Sequence, residues 1–159
     1  MLSFAGWFRL LNSQDLAVEE SKSVTALGLE LAVFRSSDGK VAVLDAYCPH
    51  LGANLGGGHV EGVSIACRVS LRTFVIICIL GDRLHCPFHG WQFDKEGVCQ
   101  KIPYCDASIP SNATVKSHPS IETNGQILFW YVFQELDLML FRLSISHCFA
   151  LPISIQTVS

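Results

Sequence analysis

Short apolar runs, separated by turn residues, make up most of the chain. Residues 7–11, 29–35 and 40–46 are such runs, and the last two are joined by Ser-Ser-Asp-Gly at 36–39. Asp-Gly between apolar runs indicates a β-hairpin, because glycine adopts positive φ without steric cost. The pattern therefore predicts an antiparallel pair of strands in the first third of the chain.

The same rhythm returns in the second half. An apolar run at 84–93 precedes the turn sequence Asp-Lys-Glu-Gly at 94–97, and runs at 115–122 and 126–132 flank Thr-Asn-Gly. Asn-Gly is the strongest short hairpin signal. The glycine-dense stretch 52–62 fits no helical period. Several short strands with turns between them predict an all-β domain.

Two segments depart from this rhythm. Residues 63–80 are apolar, poor in turn residues and without a clear period, and the pattern dissolves again after residue 131. A membrane-spanning helix needs about 20 consecutive apolar residues, which neither segment supplies. We therefore predict one domain over 1–131, interrupted by an atypical insertion at 63–80 and followed by an atypical apolar tail at 132–159.

Composition narrows the class of protein. Half of the 159 residues are apolar and 16% are charged, which argues against disorder and fits a single domain. A net charge of −3 with no basic stripe gives no footprint for nucleic acid. Seven cysteines form no obvious disulfide framework, and no secretory signal opens the chain. These features predict a reducing, intracellular location.

Two segments carry candidate chemistry. Cys48-Pro-His50-Leu-Gly and Cys86-Pro-Phe-His89-Gly each offer one thiolate and one imidazole, followed by a glycine that lets the backbone pass close to a bulky group. In a Rieske centre two histidines replace two cysteines on one of the two irons. The pattern predicts a [2Fe–2S] cluster, with both cysteines on one iron and both histidines on the other.

Two other interpretations stay open. The four residues could form a Cys₂His₂ zinc site, although a cysteine and a histidine only two positions apart chelate one ion awkwardly. They could also be unrelated buried side chains, which the repeated Cys-Pro and His-Gly pairs make a poor explanation. His59 and His85 flank the ligand segments and are interpreted as strand residues. The other cysteines, at 67, 78, 99, 105 and 148, are interpreted as small buried hydrophobes.

The two ligand segments, extended to Cys-Pro-His-Leu-Gly-Ala-Asn-Leu-Gly-Gly-Gly and Cys-Pro-Phe-His-Gly-Trp-Gln-Phe, resemble the Rieske domain of Rieske non-haem iron oxygenases. Lys-Ile-Pro-Tyr at 101–104, Val-Lys-Ser at 115–117 and Asn-Gly-Gln-Ile at 124–127 are similar to the animal cholesterol 7-desaturases, the Neverland group. The resemblance runs over about 7–131, apart from 63–80. It implies the small antiparallel sheets of the Rieske fold.

The resemblance also implies a chemical route. An NAD(P)H-dependent reductase would feed the cluster, and a mononuclear Fe(II) would activate O₂ beside a sterol at a membrane of the endoplasmic reticulum type. That iron needs two histidines and a carboxylate. After residue 131 the sequence contains one histidine, His147. We therefore expect the catalytic domain to be missing and the chain to be a truncated electron-transfer domain. A stand-alone Rieske ferredoxin is the alternative.

Three positions separate this chain from other Rieske types. Respiratory Rieske proteins carry a bridged cysteine pair where this chain has Ala53 and Phe88, so the comparison favours the oxygenase type. High-potential Rieske proteins have a serine directly after the final His-Gly, where this chain has Trp91. A comparatively low reduction potential is therefore expected.

The insertion and the tail share an unusual explanation. Between His50 and Cys86 lie 35 residues, and removal of the 18 residues 63–80 leaves 17, the short separation expected of oxygenase-type motifs. Codons for Gly-Val can contain a GT donor and codons for Leu-Gly an AG acceptor, and Val132 can begin with a second GT donor. An evolved surface insertion should be polar, which this one is not. We therefore predict that both segments are translated intron and that 63–80 protrudes from the domain.

Overall fold

The computed structural model describes residues 4–68 and 75–133, and regular structure there is almost entirely β. Two 3₁₀ turns, Ser13–Asp15 and Leu55–Gly57, are the only helical elements in those ranges. The strands are β1 (Phe4–Asn12), β2 (Ser21–Ala26), β3 (Leu29–Arg35), β4 (Val41–Asp45), β5 (His59–Arg68), β6 (Val75–His85), β7 (Gln92–Phe93), β8 (Cys99–Lys101), β9 (Ser117–His118), β10 (Ser120–Thr123) and β11 (Gln126–Phe133).

The strands form three small sheets. Their orders are β1-β11-β10, β2-β3-β4-β9 and β5-β6-β7-β8, and every pairing with a described register is antiparallel. Residues Trp7–Trp130 form one compact unit, and the described residues 4–6 and 131–133 belong to a second one. The first unit contains all four predicted ligands. The predicted all-β class is confirmed.

The predicted hairpins are present. β3 and β4 pair around the turn at 36–39, with Val33 opposite Val43. β10 and β11 pair around Asn124-Gly125, both of which adopt positive φ. The predicted single run 115–122 is instead split into β9 and β10 by Pro119, which has no N–H to give a strand ladder. Each hairpin thus follows its turn chemistry, and the proline sets the strand break.

The long β5–β6 hairpin contains the predicted insertion. Gly62 pairs with Asp82, the register shifts at Gly62/Ser64, and Ser64 then pairs with Ile79. β7 pairs with β6 only at Leu84 and His85. From Ser64 to the tip of the hairpin, the described pairings therefore join β5 to β6 and to no other strand. Residues 69–74 and the tail beyond 133 lie outside the described residues. The domain boundaries and the intron origin of 63–80 stay predictions.

A continuous apolar core lies beneath the ligand segments. Phe34, Leu44, Leu55 and Phe93 are at most 1% exposed, and Cys48, Cys86 and Trp91 belong to the same buried cluster. The ligand cysteines are thus anchored in the core. In the described parts of the chain, no helix has the length and hydropathy needed to cross a membrane.

One buried arginine, Arg35 at the end of β3, links this strand to other segments of the chain. Arg35 is 8% exposed and forms a two-point ion pair with Glu122, with nitrogen–oxygen distances of 2.8 and 2.9 Å. Its guanidinium also donates to the carbonyl oxygens of Ser13, Leu16 and Gly39. A buried charge is tolerated when it is paired and its donors are satisfied, as they are here.

Candidate metal centre

Two loops carry the four predicted ligands, and they share one hydrogen-bond pattern. In the Cys48 loop, residues 48–53, the Gly52 N–H donates to the Cys48 carbonyl, and the Cys48 N–H donates to the Ala53 carbonyl, both at 2.9 Å. In the Cys86 loop, residues 86–91, Gly90 donates to the Cys86 carbonyl at 3.0 Å, and Cys86 donates to the Trp91 carbonyl at 2.8 Å. The loops are therefore two copies of one turn.

Glycine is required at the fifth position of each loop. Gly52 has φ of 71° and Gly90 has φ of 68°, in the left-handed region that costs an L-residue about 1–2 kcal/mol. The histidine stands at the third position in the Cys48 loop and at the fourth in the Cys86 loop. The two loops therefore share one turn geometry but carry their histidines at different positions in it.

The two thiols meet at the buried side of the site. Cys48 and Cys86 are each 3% exposed, and the Cys86 thiol is close enough to the Cys48 thiol to influence its pKa. Burial raises the pKa of the Cys48 thiol to about 11, and the neighbouring Cys86 thiol acts in the same direction. The backbone N–H of His50 opposes this shift by hydrogen bonding to the sulfur. Binding of a cationic metal group would therefore release protons here.

The two imidazoles meet on the outer side. The ring centroids of His50 and His89 are 4.7 Å apart, with 72° between the ring planes. His89 is exposed and His50 is half-buried, whereas both cysteines are buried. The site therefore has a sulfur side that faces the core and a nitrogen side that faces solvent.

Two aromatic side chains support the nitrogen side. The indole of Trp91 stacks on the imidazole of His50, and the Trp91 Nε1–H donates to the Tyr104 hydroxyl at 2.7 Å. The Tyr104 ring lies 6.4 Å from each imidazole, centroid to centroid. Sequence reasoning did not assign these supporting roles. The signal available was the placement of Trp91 directly after the glycine of the second ligand loop.

The donor set fits a [2Fe–2S] group with mixed ligation. Two adjacent thiols on one side and two adjacent imidazoles on the other match a centre in which cysteines hold one iron and histidines hold the other. A single tetrahedral zinc ion needs its donor atoms closer together, and among the described residues the three donors within 4.8 Å of one another are His59, Glu61 and His85 instead. The structure thus brings Cys48, His50, Cys86 and His89 together as one site.

The remaining cysteines with described side chains lie outside this site. Cys99 is 4% exposed, in keeping with its interpretation as a small buried hydrophobe. The same interpretation is wrong for Cys105, which is exposed. Cys105 follows Pro103 and Tyr104 in a loop without regular structure, where no strand carries it into the core. Both thiols are free.

The comparison with protein families is decisive. The model of the Rieske [2Fe-2S] domain matches residues 6–76 and 76–119. This chain belongs to the Rieske [2Fe–2S] domain family. The match is divided at residue 76, inside the hairpin that carries the atypical insertion. Its cofactor is accordingly a [2Fe–2S] cluster.

The curated relatives of this Rieske domain include cholesterol 7-desaturases and a 3-ketosteroid monooxygenase component. This domain is 45% identical over 126 residues to cholesterol 7-desaturase nvd 1 of Ciona intestinalis. That alignment covers 79% of this chain and 23% of the Ciona protein. It is 44% identical over 128 residues to the cholesterol 7-desaturase nvd of Xenopus laevis, covering 79% and 24%. A probable 3-ketosteroid-9-alpha-monooxygenase oxygenase component of Rhodococcus rhodochrous is 36% identical over 126 residues, covering 79% and 27%. The Rieske domain spans about a quarter of these relatives.

Solved structures of Rieske oxygenases share the fold of this chain. Dicamba monooxygenase with non-haem iron and dicamba superposes with a TM-score of 0.61 at 30% identity, over 79% of this chain and 32% of that one. NdmB of Pseudomonas putida CBB5 gives a TM-score of 0.62 at 26% identity, over 77% and 33%. The chain is thus the Rieske domain of a Rieske oxygenase related to the cholesterol 7-desaturases. Such oxygenases receive electrons from a reductase.

Proposed function

We propose that this Rieske domain accepts single electrons for a sterol 7-desaturase that converts cholesterol to 7-dehydrocholesterol in steroid hormone biosynthesis. One observation carries the proposal. Two similar turns, anchored in the core, present two buried thiols on one side and two neighbouring imidazoles on the outer side. The identity to cholesterol 7-desaturases supports the choice of substrate. A bound [2Fe–2S] cluster supplies reversible one-electron chemistry.

The residues around the site indicate which side of it electrons would cross. Cys48 and Cys86 hold the inner side within the apolar core, which excludes water from the sulfur ligands. His89 lies at the surface, so the histidine side is the short path to another protein. Electron transfer would therefore pass through the imidazole side in both directions.

An apolar rim surrounds that exposed side. Four large side chains there are between 54% and 68% exposed: Tyr47, Leu51, Phe88 and Tyr104. Weak electron-transfer complexes bury small interfaces, for which a rim of this kind suffices. We propose this rim as the docking surface for an NAD(P)H-dependent reductase.

The ligand assignment is tested by reconstitution with iron and sulfide under anaerobic conditions. The purified chain should be red-brown and contain two irons. Cys86→Ser should abolish or remodel the visible spectrum, because each ligand is bonded directly to iron. Cys105→Ser is the matched control, because that thiol is exposed and outside the site. A colourless chain that binds one zinc would overturn the proposal.

The sterol activity is tested by a domain exchange. Residues of this chain would replace the corresponding Rieske segment of the Xenopus laevis cholesterol 7-desaturase, and 7-dehydrocholesterol would be measured with reductase and NADPH. We expect product from the chimera and none from its Cys86→Ser form. A chimera that holds its cluster and is reduced, yet forms no product, would favour a stand-alone ferredoxin-type carrier.

We also propose an intracellular location at a membrane of the endoplasmic reticulum type. The free thiols of Cys99 and Cys105 support a reducing compartment. The sterol substrate supports proximity to a membrane. Fractionation of cells that express the chain, followed by a salt wash of the membranes, tests both parts. Recovery only in a secreted or disulfide-linked form would contradict the proposal.

A further inference from the structure

Three potential metal ligands lie together on the β5–β6 hairpin, outside the cluster site. His59 and Glu61 are two positions apart on β5, so their side chains share one face of the sheet. His85 on β6 is directly opposite His59 and therefore points to the same face. The ligand atoms of these three residues all lie within 4.8 Å of one another.

The spacing of these atoms is close to that of a metal site. Bonds of about 2.0–2.2 Å at tetrahedral angles separate two ligand atoms by roughly 3.4 Å. The His85 Nε2 and the Glu61 Oε2 are 3.6 Å apart, too far for a hydrogen bond and close to that value. The His59 and His85 rings are 4.5 Å apart, centroid to centroid. His59 is exposed, so its ring can turn toward the other two.

A second observation points to a ligand. The His85 side chain is 10% exposed, and its Nε2 is buried without a hydrogen-bond partner. An unpartnered buried nitrogen costs about 1–3 kcal/mol, and native structures rarely keep one without a reason. A cavity of about 260 Å³, lined in part by Glu61, His85 and Gln92, opens beside it. A metal ion would give this nitrogen its missing partner.

From this arrangement we infer that His59, Glu61 and His85 bind a divalent zinc-type cation with one open coordination position. Two imidazoles and one carboxylate are a donor set that zinc accepts. Arg83 and Lys101 also face the cavity, and Arg83 donates to Gln92 at 3.1 Å. These two cations favour an anionic fourth ligand, such as chloride or hydroxide.

The test is a zinc titration of the full chain loaded with its cluster, because the cluster occupies the other Cys and His ligands. Equilibrium dialysis and metal analysis should find one zinc beyond the two irons, with an unchanged visible spectrum. Glu61→Gln and His59→Asn should each weaken zinc binding by about tenfold or more, because each removes a direct ligand and the loss of an outer-shell partner alone already costs about tenfold. Glu96→Gln, an exposed carboxylate on another turn, should leave it unchanged.

Three outcomes would overturn the inference. The first is no zinc beyond the cluster, the second is zinc that bleaches the cluster, and the third is zinc binding that is insensitive to both variants. If the chain takes up no cluster, the proposed function fails separately. The same titration is then run on the metal-free chain, where zinc at the Cys48 and Cys86 loops does not depend on Glu61. The difference between wild type and variants remains the readout.

Discussion

The imidazole of His50 lies parallel to the indole of Trp91, with ring centroids 4.9 Å apart and 5° between the planes. Each of the two ligand loops contributes one of these rings, so the stack joins the loops on the nitrogen side. Trp91 is in turn fixed by its hydrogen bond to Tyr104. The orientation of His50 is therefore set by a side chain that ligates nothing.

Replacement of Trp91 should loosen the site without removing a ligand. Aromatic pairs contribute about 0.5–1.5 kcal/mol beyond their buried area. We expect Trp91→Leu to lose the cluster severalfold faster than wild type in the presence of a chelator, as measured by the decay of visible absorption. Trp91→Phe keeps an aromatic face and should lie much closer to wild type. Equal decay rates for both variants would refute the role of the stack.

The reduction potential should be comparatively low. Hydrogen bonds to cluster sulfurs raise the potential, and Trp91 carries no hydroxyl while its N–H is engaged by Tyr104. We predict a midpoint in the lower half of the Rieske range of roughly −150 to +300 mV. A redox titration of the reconstituted chain measures this value. A midpoint well above the middle of that range would be incompatible with the argument.

Substitution of two glycines can distinguish the effect of backbone strain on folding from its effect on cluster binding. Gly52 in the Cys48 loop and Gly28 in the β2–β3 turn have φ of 71° and 77°, and a Cβ at either would meet nothing within 4 Å. Alanine at each should therefore lower the free energy of unfolding by a similar amount, about 1–2 kcal/mol. Only Gly52→Ala should also weaken cluster retention, because it strains a ligand loop. Denaturant titration and iron content distinguish the two effects.

The Arg35–Glu122 pair should make stability depend on acid pH. The pKa of Glu122 is lowered to about 2, chiefly by its hydrogen bonds with the Arg35 guanidinium. Its stabilising effect is thus complete above about pH 4.5 and is lost as the pH falls toward 2. Glu122→Gln should cost at most about 1 kcal/mol near neutral pH, after solvent screening, and should flatten stability between those values. Glu96→Gln is the control, and an unchanged pH profile in Glu122→Gln would contradict the assignment.

Deletion of residues 63–80 should leave a folded domain that binds its cluster. In the observed register Glu61 is opposite Arg83. After the deletion, Gly62, Gly81 and Asp82 would close the hairpin as a three-residue loop, a common length, with that register kept. Circular dichroism and iron content of the shortened chain test the prediction. An unfolded product, or transcripts that uniformly include this segment, would argue that the insertion is an evolved part of the protein.

Turn chemistry explains both the success and the failure of sequence reasoning about the fold. Asp38-Gly39 and Asn124-Gly125 identify their hairpins because those residues tolerate the backbone that the turns need. β2 was not predicted, because its turn to β3 uses Leu27-Gly28, with Leu27 at φ of 53°. A leucine at positive φ carries no turn signal. Here strand pairing outweighs the local preference.

The four candidate ligands are predicted from their spacing alone, whereas their surroundings are not. Residue type and order within each short loop suggested the donor set, because the chemistry resides in the loop itself. The meeting of His59 with His85 depends on the register of β5 against β6, and the stacking of Trp91 on His50 depends on how two separate loops pack together. No local pattern specifies that register or that packing. Contacts across strands therefore had to come from the structure.

Cys48 and Cys86 are 38 positions apart in sequence, yet their thiols meet in the core. A cluster held by both loops would be a covalent cross-link that closes this long loop. In the chain-entropy model, a cross-link of this length stabilises the folded state by roughly 4 kcal/mol, a large share of what a domain of this size has. Loss of iron would then be a folding event as well as the loss of a redox centre, so iron supply would set how much folded protein a cell retains.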